Sequence, residues 1–229
     1  MNIASRGAGL AGVQSLERIQ LRPHGLRGRL IVIEGTDGAG KSTLIHGTAE
    51  ALRWLGADVL TTVQPTPGIR ATEVFRAFSE TSGPDTALYR ALYLVTVGDR
   101  LYHAASVIEP HMRSGGIVLS DRYVFTTMAN IMARGQGFEP WFVETVAHLP
   151  RPDLAILLHC PVGEAVRRIR LRPDERDRPI DIPHLTRVRE AFLKLAELGH
   201  LRAIDSSAIT TEQTRALVYG WLQPLVAQR

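Results

Sequence analysis

Cysteine is almost absent from this chain. Cys160 stands alone, so no disulfide can close within it, and that scarcity fits a reducing, cytoplasmic compartment. Its place at the end of an apolar run reads as a buried, inert thiol rather than a reactive one. Long hydrophobic runs are also missing. None approaches the ~20 residues that span a bilayer, so no membrane partner is expected. Lysine is scarce: all but two of the 27 basic residues are arginine, the exceptions being Lys41 and Lys194. Coding bias accounts for much of that skew. The formal charge of +4 arrives without a helix-turn-helix, zinc or RNA-binding signature, so a nucleic-acid partner is not expected.

What is present is organised around Gly35-Thr36-Asp37-Gly38-Ala39-Gly40-Lys41-Ser42-Thr43. This is G-x-x-x-x-G-K-[ST] in its required setting, after the apolar run Leu30–Ile33 and before a helical pattern over 42–55. Glycines let successive backbone N–H groups turn inward around an anion, and the helix adds its positive end. Lys41 reaches terminal phosphates and the Ser42 hydroxyl suits Mg²⁺. ATP and Mg²⁺ are therefore the expected cofactors.

Strand patterns at 29–33, 58–63, 117–120, 153–159 and 201–204 alternate with helical ones at 42–55, 69–78, 85–113, 126–134, 139–148, 161–171, 184–198 and 211–226. Kinks are expected near Gly98 and at Pro110, and Ser82-Gly83-Pro84 separates two helices. Such alternation predicts an α/β fold, a three-layer α/β/α P-loop NTPase with a five-stranded parallel sheet. The loops after the strands then gather at one edge. They bring the phosphate loop together with the Gln64 loop, with Asp121-Arg122 and with the segment after Asp205. Asp121, ending a buried strand, is placed to hold a metal-bound water. Residues 1–28 read as a flexible N-terminal extension with a possible short helix over 15–21, and 29–229 as the single domain.

The stretch from Arg167 to Pro179 is dense in charge and punctuated by proline. It reads either as a solvated face or as an Arg-rich lid closing over polyphosphate, and the independent phosphate site favours the lid. Neither lysine sits in the Asn-Lys-x-Asp motif of Ras-type GTPases. A compact domain with such a lid fits a kinase for a small phosphorylated acceptor.

These residues resemble the thymidylate kinase family of nucleoside monophosphate kinases. The resemblance rests on Ile33–Thr43, Asp99-Arg100, Asp121-Arg122-Tyr123 with Thr126, and Pro152-Asp153-Leu154, and it covers Arg29 to the C-terminus. It implies ATP-dependent phosphoryl transfer to a nucleoside monophosphate, dTMP or a related nucleotide, and a homodimer through the long helices. Gly35, Thr36, Gly38, Ala39, Gly40, Lys41, Ser42 and Thr43 would hold ATP, with Ser42 and Asp121 on the metal. Lys41, Asp37 and Arg122 would be catalytic. So would Arg172, Arg176 and Arg178 of the lid, because Ala39 stands where some members carry arginine. Asp37, Gln64, Thr96, Arg100, Arg122, Thr126, Thr127 and Asn130 would face the acceptor.

The chain departs from the family on that side. Val63-Gln64-Pro65-Thr66-Pro67 replaces Arg-Glu-Pro-Gly-Gly, Thr96 stands near the thymine-stacking aromatic, and Asn130 near a tyrosine that screens the sugar 2′ position. A kinase for another small acceptor, a non-catalytic ATP-binding protein and a nucleic-acid-binding protein are the alternatives.

Overall fold

The computed structural model describes residues 16, 19–80 and 86–227. Five strands form one parallel sheet: β1 (Arg29–Glu34), β2 (Val59–Val63), β3 (Ile117–Asp121), β4 (Leu154–His159) and β5 (Arg202–Asp205), in the order β2-β3-β1-β4-β5. The helices are α1 (Lys41–Trp54), α2 (Pro67–Arg70), α3 (Glu73–Glu80), α4 (Thr86–His103), α5 (Glu109–Arg113), α6 (Val124–Ala133), α7 (Pro140–Val146), α8 (Val162–Arg170), α9 (Ile182–Glu197) and α10 (Thr211–Val226).

Strand β1 shows why there are three layers. Its side chains alternate between two cores, as period two requires. Leu30 and Val32 pack with residues of α4 to α7 and α9. Ile31 and Ile33 pack with α1 and α10. All four are fully buried, each contributing about 1.5–3 kcal/mol relative to exposure. The register pairs Ile33 with both Asp121 and Ile156, and Val63 with Asp121, so the strands end level at one edge. The phosphate loop leaves from that edge.

Several boundaries differ from the sequence patterns. The single helix expected over 69–78 is two, α2 and α3, separated at Ala71-Thr72, where the Thr72 hydroxyl accepts from the Phe75 N–H. The long helix passes through Gly98 unbroken. It widens instead into a π-helical turn over Ala104–Ile108, where the Glu109 N–H donates to the Ala104 carbonyl. Pro110, which lacks an N–H, follows directly, so the wider turn accommodates the missing donor. The separator Ser82–Pro84 lies outside the described residues, as do 15, 17 and 18 of the helix expected over 15–21; Leu16 is helical, but the helix does not extend over 19–21, which run as irregular chain.

Part of the stretch read as an extension lies against the domain. Leu16 and Ile19 are buried in the core beside α6 and α9. Arg22 exchanges backbone hydrogen bonds with Leu149 and Arg151 at 2.9 and 2.7 Å. His24 and the Leu30 N–H both meet the Asp153 carboxylate, at 3.0 and 2.8 Å. Cys160 is fully buried, as its apolar setting implied.

Candidate active site

Close packing dictates the phosphate loop's composition. Gly35 has φ of 139°, and a Cβ there would lie 2.0 Å from the Leu158 carbonyl oxygen. Gly38 has φ of 81°, and its Cβ would come within 2.4 Å of the Ala165 carbonyl. Only glycine fits either position. Gly40 ends the loop as the N-cap of α1 and makes no side-chain cap, leaving the first-turn N–H groups of α1 to an anion. Ser42 and Thr43 stand exposed on that turn.

Lys41 is nearly buried, and its ammonium donates to the Thr36 carbonyl at 3.0 Å. Burial, then the neighbouring Arg122, brings its pKa down to about 8, against the opposing pull of Asp121, Asp37 and Glu34. Its carboxylate neighbours do not offset burial and Arg122, and none of them forms a direct ion pair with the ammonium among the described residues, a contact that a polyphosphate would supply.

Arg122 carries the one positive φ of a non-glycine among the described residues, 70°. Such a conformation costs about 1–3 kcal/mol and needs support. Its N–H donates to the Ile33 carbonyl at 2.9 Å, and its carbonyl accepts from the Ser120 hydroxyl at 2.7 Å. With the backbone pinned, the guanidinium reaches the Gly35 carbonyl at 2.9 Å and Asp37 at 2.5 Å. Arg178, from the segment after α8, meets the other Asp37 oxygen at 2.9 Å. Burial works against ionisation of Asp37, but Arg122, Lys41 and Arg178 outweigh it and hold the pKa at about 2.

Asp121 ends β3 with its Oδ1 buried and without a hydrogen-bond partner among the described residues. An orphaned carboxylate oxygen is costly unless something takes it up. A hydrated Mg²⁺ fits this chemistry, with Ser42 as the second oxygen donor.

The arginines expected in a lid divide. Arg172 pairs with Glu175 at 2.9 Å and, with Gly38, Gly40, Arg168 and Ser206, lines a cavity of about 400 Å³ beside the phosphate loop. Arg178 lines a second cavity, about 240 Å³, with Asp37, Arg122, Asn130 and His184. Arg176 is exposed and its side chain makes no ion pair among the described residues. Its carbonyl and that of Arg178 accept from Arg170, which holds the segment folded over.

The remaining acceptor-side candidates are packed inside. Gln64, Thr96 and Arg100 are 0%, 5% and 1% exposed. Arg100 donates to the Thr96 carbonyl at 2.9 Å while its Nε has no partner. Burial draws its pKa down to about 10 although Glu34 and Asp99 pull the other way. The Gln64 amide nitrogen donates to His103 Nδ1 at 2.9 Å, so His103 Nε2 carries the proton toward Thr62 at 3.0 Å. Asp99 accepts from the Thr66 N–H at 2.8 Å and its hydroxyl at 2.6 Å, fixing the loop that follows the cis Gln64-Pro65 bond. Thr127 is buried and lines neither cavity, while Asn130 bonds the Thr126 carbonyl through Nδ2 at 2.8 Å.

Three residues escaped the sequence patterns. Glu34, fully buried, accepts from the Tyr123 N–H at 2.7 Å, the Thr126 N–H at 3.1 Å and the Thr126 hydroxyl at 2.5 Å. Burial raises its pKa. Arg168 spans the cavity beside the phosphate loop, bonding Glu164 at 2.6 Å and the Ser206 hydroxyl and carbonyl at 3.0 Å each. Four arginines between 167 and 172 look alike in sequence; the Glu164–Arg168 spacing of four was the available signal. His184 meets Asn130 at 3.2 Å, a contact between distant segments that no local pattern encodes.

Residues 33–217 match the family model described as Thymidylate kinase. The chain is similar to the probable thymidylate kinase of Pyrococcus horikoshii, 38% identical over 177 residues, covering 76% of this chain and 85% of that protein. The probable thymidylate kinase of Pyrococcus abyssi is 36% identical over 196 residues, 82% of this chain and 92% of that protein. The thymidylate kinase of Xanthomonas euvesicatoria is 36% identical over 190 residues, 83% and 80% respectively.

Proposed function

Since the chain belongs to the thymidylate kinase family, phosphoryl-transfer enzymes that act on a nucleoside monophosphate, we propose that its donor is ATP with Mg²⁺ and its acceptor dTMP or a closely related nucleotide. The observation that carries this reading is the Asp37 carboxylate clamped by Arg122 and Arg178 beside Lys41. Two guanidinium groups from separate segments meet at the mouth of a phosphate loop. Two polyanions must be brought together there, and cations are what that requires.

The loop amides and Lys41 grip the donor phosphates. Ser42 and Asp121 would hold Mg²⁺, which would supply charge neutralisation on the phosphate oxygens. Arg122 and Arg178 exchange Asp37 for the acceptor phosphate and orient it for in-line attack. Arg172 and Arg168 close the donor side, and Arg172, Arg176 and Arg178 supply the cation that Ala39 cannot. Catalysis is then positioning and charge neutralisation, with no covalent intermediate on the protein.

Residues 29–229 form the catalytic domain in this reading, and a homodimer is its assembly. Leu94 at 54% and Tyr102 at 76% exposure, eight residues apart on α4, leave apolar surface suited to a second copy.

Steady-state turnover with ATP and Mg²⁺ across a panel of nucleoside monophosphates tests the assignment. ADP should form only when an acceptor is present, with dTMP or a near relative the best substrate. No acceptor-dependent ADP from any monophosphate would sink it.

A further inference from the structure

Arg122 stands at a positive φ, and such a residue keeps its conformation only while its neighbours hold it there. The residue that follows it is anchored at both ends. Tyr123 donates its N–H to buried Glu34 at 2.7 Å and its hydroxyl to the Pro150 carbonyl at 3.0 Å. Its side chain is fully buried, and burial pushes the phenol pKa up, so the hydroxyl stays protonated as a donor. The Asp121-Arg122-Tyr123 segment is thereby tied to Pro150, in the loop between α7 and β4.

That loop is held in turn by Arg22. The two form a parallel bridge, in which the Arg22 N–H donates to the Leu149 carbonyl at 2.9 Å and its carbonyl accepts from the Arg151 N–H at 2.7 Å. These bonds flank Pro150, which has no N–H of its own. The side chain adds two more. Nε donates to the His148 carbonyl at 3.3 Å, and Nη2 donates to Glu109 at 2.5 Å. The Glu109 side chain is 13% exposed and also accepts from Arg113 at 2.9 Å. It opens α5, directly after the π-helical turn. An isolated surface ion pair contributes only about 0–1 kcal/mol. Here the pair is one of four bonds that make Arg22 a bracket between α5 and the Pro150 loop.

Resting on the role given to Arg122 above, we propose that Arg22 is a positioning residue for Arg122: it sets the Pro150 carbonyl, Pro150 sets Tyr123, and Tyr123 keeps the Arg122 guanidinium aimed at Asp37 and at the acceptor phosphate that takes its place. Residue 22 lies ahead of the stretch 33–217 that matches the family model, so a segment outside that match contributes to the site without touching substrate.

Arg22→Ala removes the bonds to Glu109 and His148 and leaves the backbone bridge. The acceptor kcat/KM should fall about tenfold, the effect of misplacing a reacting group by less than an ångström, while the KM for ATP holds. Arg22→Lys, which can still meet Glu109, should recover part of the loss. Glu109→Gln weakens the same bracket from α5; it should give the same split and serves where Arg22→Ala does not fold. Tyr123→Phe cuts the next link, so its effect and that of Arg22→Ala should not add in the double variant. Hydrogen exchange read by mass spectrometry follows the tether without turnover: Arg22→Ala should lose protection over 121–126 and keep it over Leu30–Ile33. A folded Arg22→Ala with wild-type kinetics and only a lower urea midpoint marks a merely structural contact and overturns the inference, as do additive losses with Tyr123→Phe. Both results leave the kinase standing. If the wild-type protein turns over no monophosphate, the kinase reading falls and exchange alone decides the tether: lost protection over 121–126 upholds it, and unchanged protection overturns it.

Discussion

The two sides of the cleft are built from different materials. On the side proposed for the donor the backbone does the work. Gly35 and Gly38 sit where a Cβ would strike a carbonyl, and α1 offers uncapped amides around one lysine. On the side proposed for the acceptor, side chains hold other side chains: Glu34 on Thr126, Asp99 on Thr66, Gln64 on His103, His184 on Asn130. A backbone-built site tolerates little substitution without losing its shape. A site of paired side chains can be rebuilt, and the acceptor wall carries the departures from the family pattern. Arg122 belongs to both sides, bonding the Gly35 carbonyl and Asp37 at once.

Lys41→Ala would break the donor side most severely. We expect kcat to fall about 10²–10³-fold, the usual effect of removing one preorganised charge-stabilising donor. Rapid-quench kinetics would measure it. If the acceptor KM alone changed, the division between the two sides would not hold.

The second prediction sharpens the donor side through pH. In the empty protein Lys41 loses its proton near pH 8, whereas the unfolded chain holds it to about 10.5. The charged form is thus disfavoured in the empty fold, which becomes more stable relative to the unfolded chain as pH rises from 8 to about 10.5. ATP requires the ammonium, so affinity should weaken by up to about tenfold per pH unit above 8. Calorimetric titrations at pH 7.5, 8.5 and 9.5 would show it, with proton uptake on binding at the higher values. An affinity flat across that range would place Lys41 away from the phosphates.

The smallest expected effect lies on the acceptor side. Thr126→Val removes the hydroxyl that donates to buried Glu34 and leaves that oxygen one donor short, at a cost of about 1–3 kcal/mol. Urea denaturation should show the shift in midpoint. No shift would mean that Glu34 is held by the Tyr123 and Thr126 backbone alone.

Legibility in the sequence follows the same line. The strands, the sheet class and the phosphate loop were readable because backbone geometry constrains residue type locally: glycine where φ is positive, continuous apolar runs such as Leu30–Ile33 where both faces of a strand are buried. The π-turn at Ala104–Ile108 was not readable, although Pro110 marked its neighbourhood, because a missing donor can be absorbed by a kink or by widening. Arg168 was lost among equivalent arginines. The Asn130–His184 wall depends on α6 packing against α9, and only tertiary structure reveals that pairing. Arg100 shows the reverse: the motif singled it out, yet the fold encloses it at 1% exposure.

The central claim is that a terminal phosphoryl group passes directly from ATP, across the Lys41–Arg122 gap, to a second phosphate. Phosphorus-31 NMR of the protein with ATP, Mg²⁺ and each monophosphate observes that event itself. The account predicts that the ATP γ signal declines as the β signal of a new nucleoside diphosphate grows, one for one. A γ signal that passes only into inorganic phosphate, or that stays unchanged with every monophosphate, would contradict it.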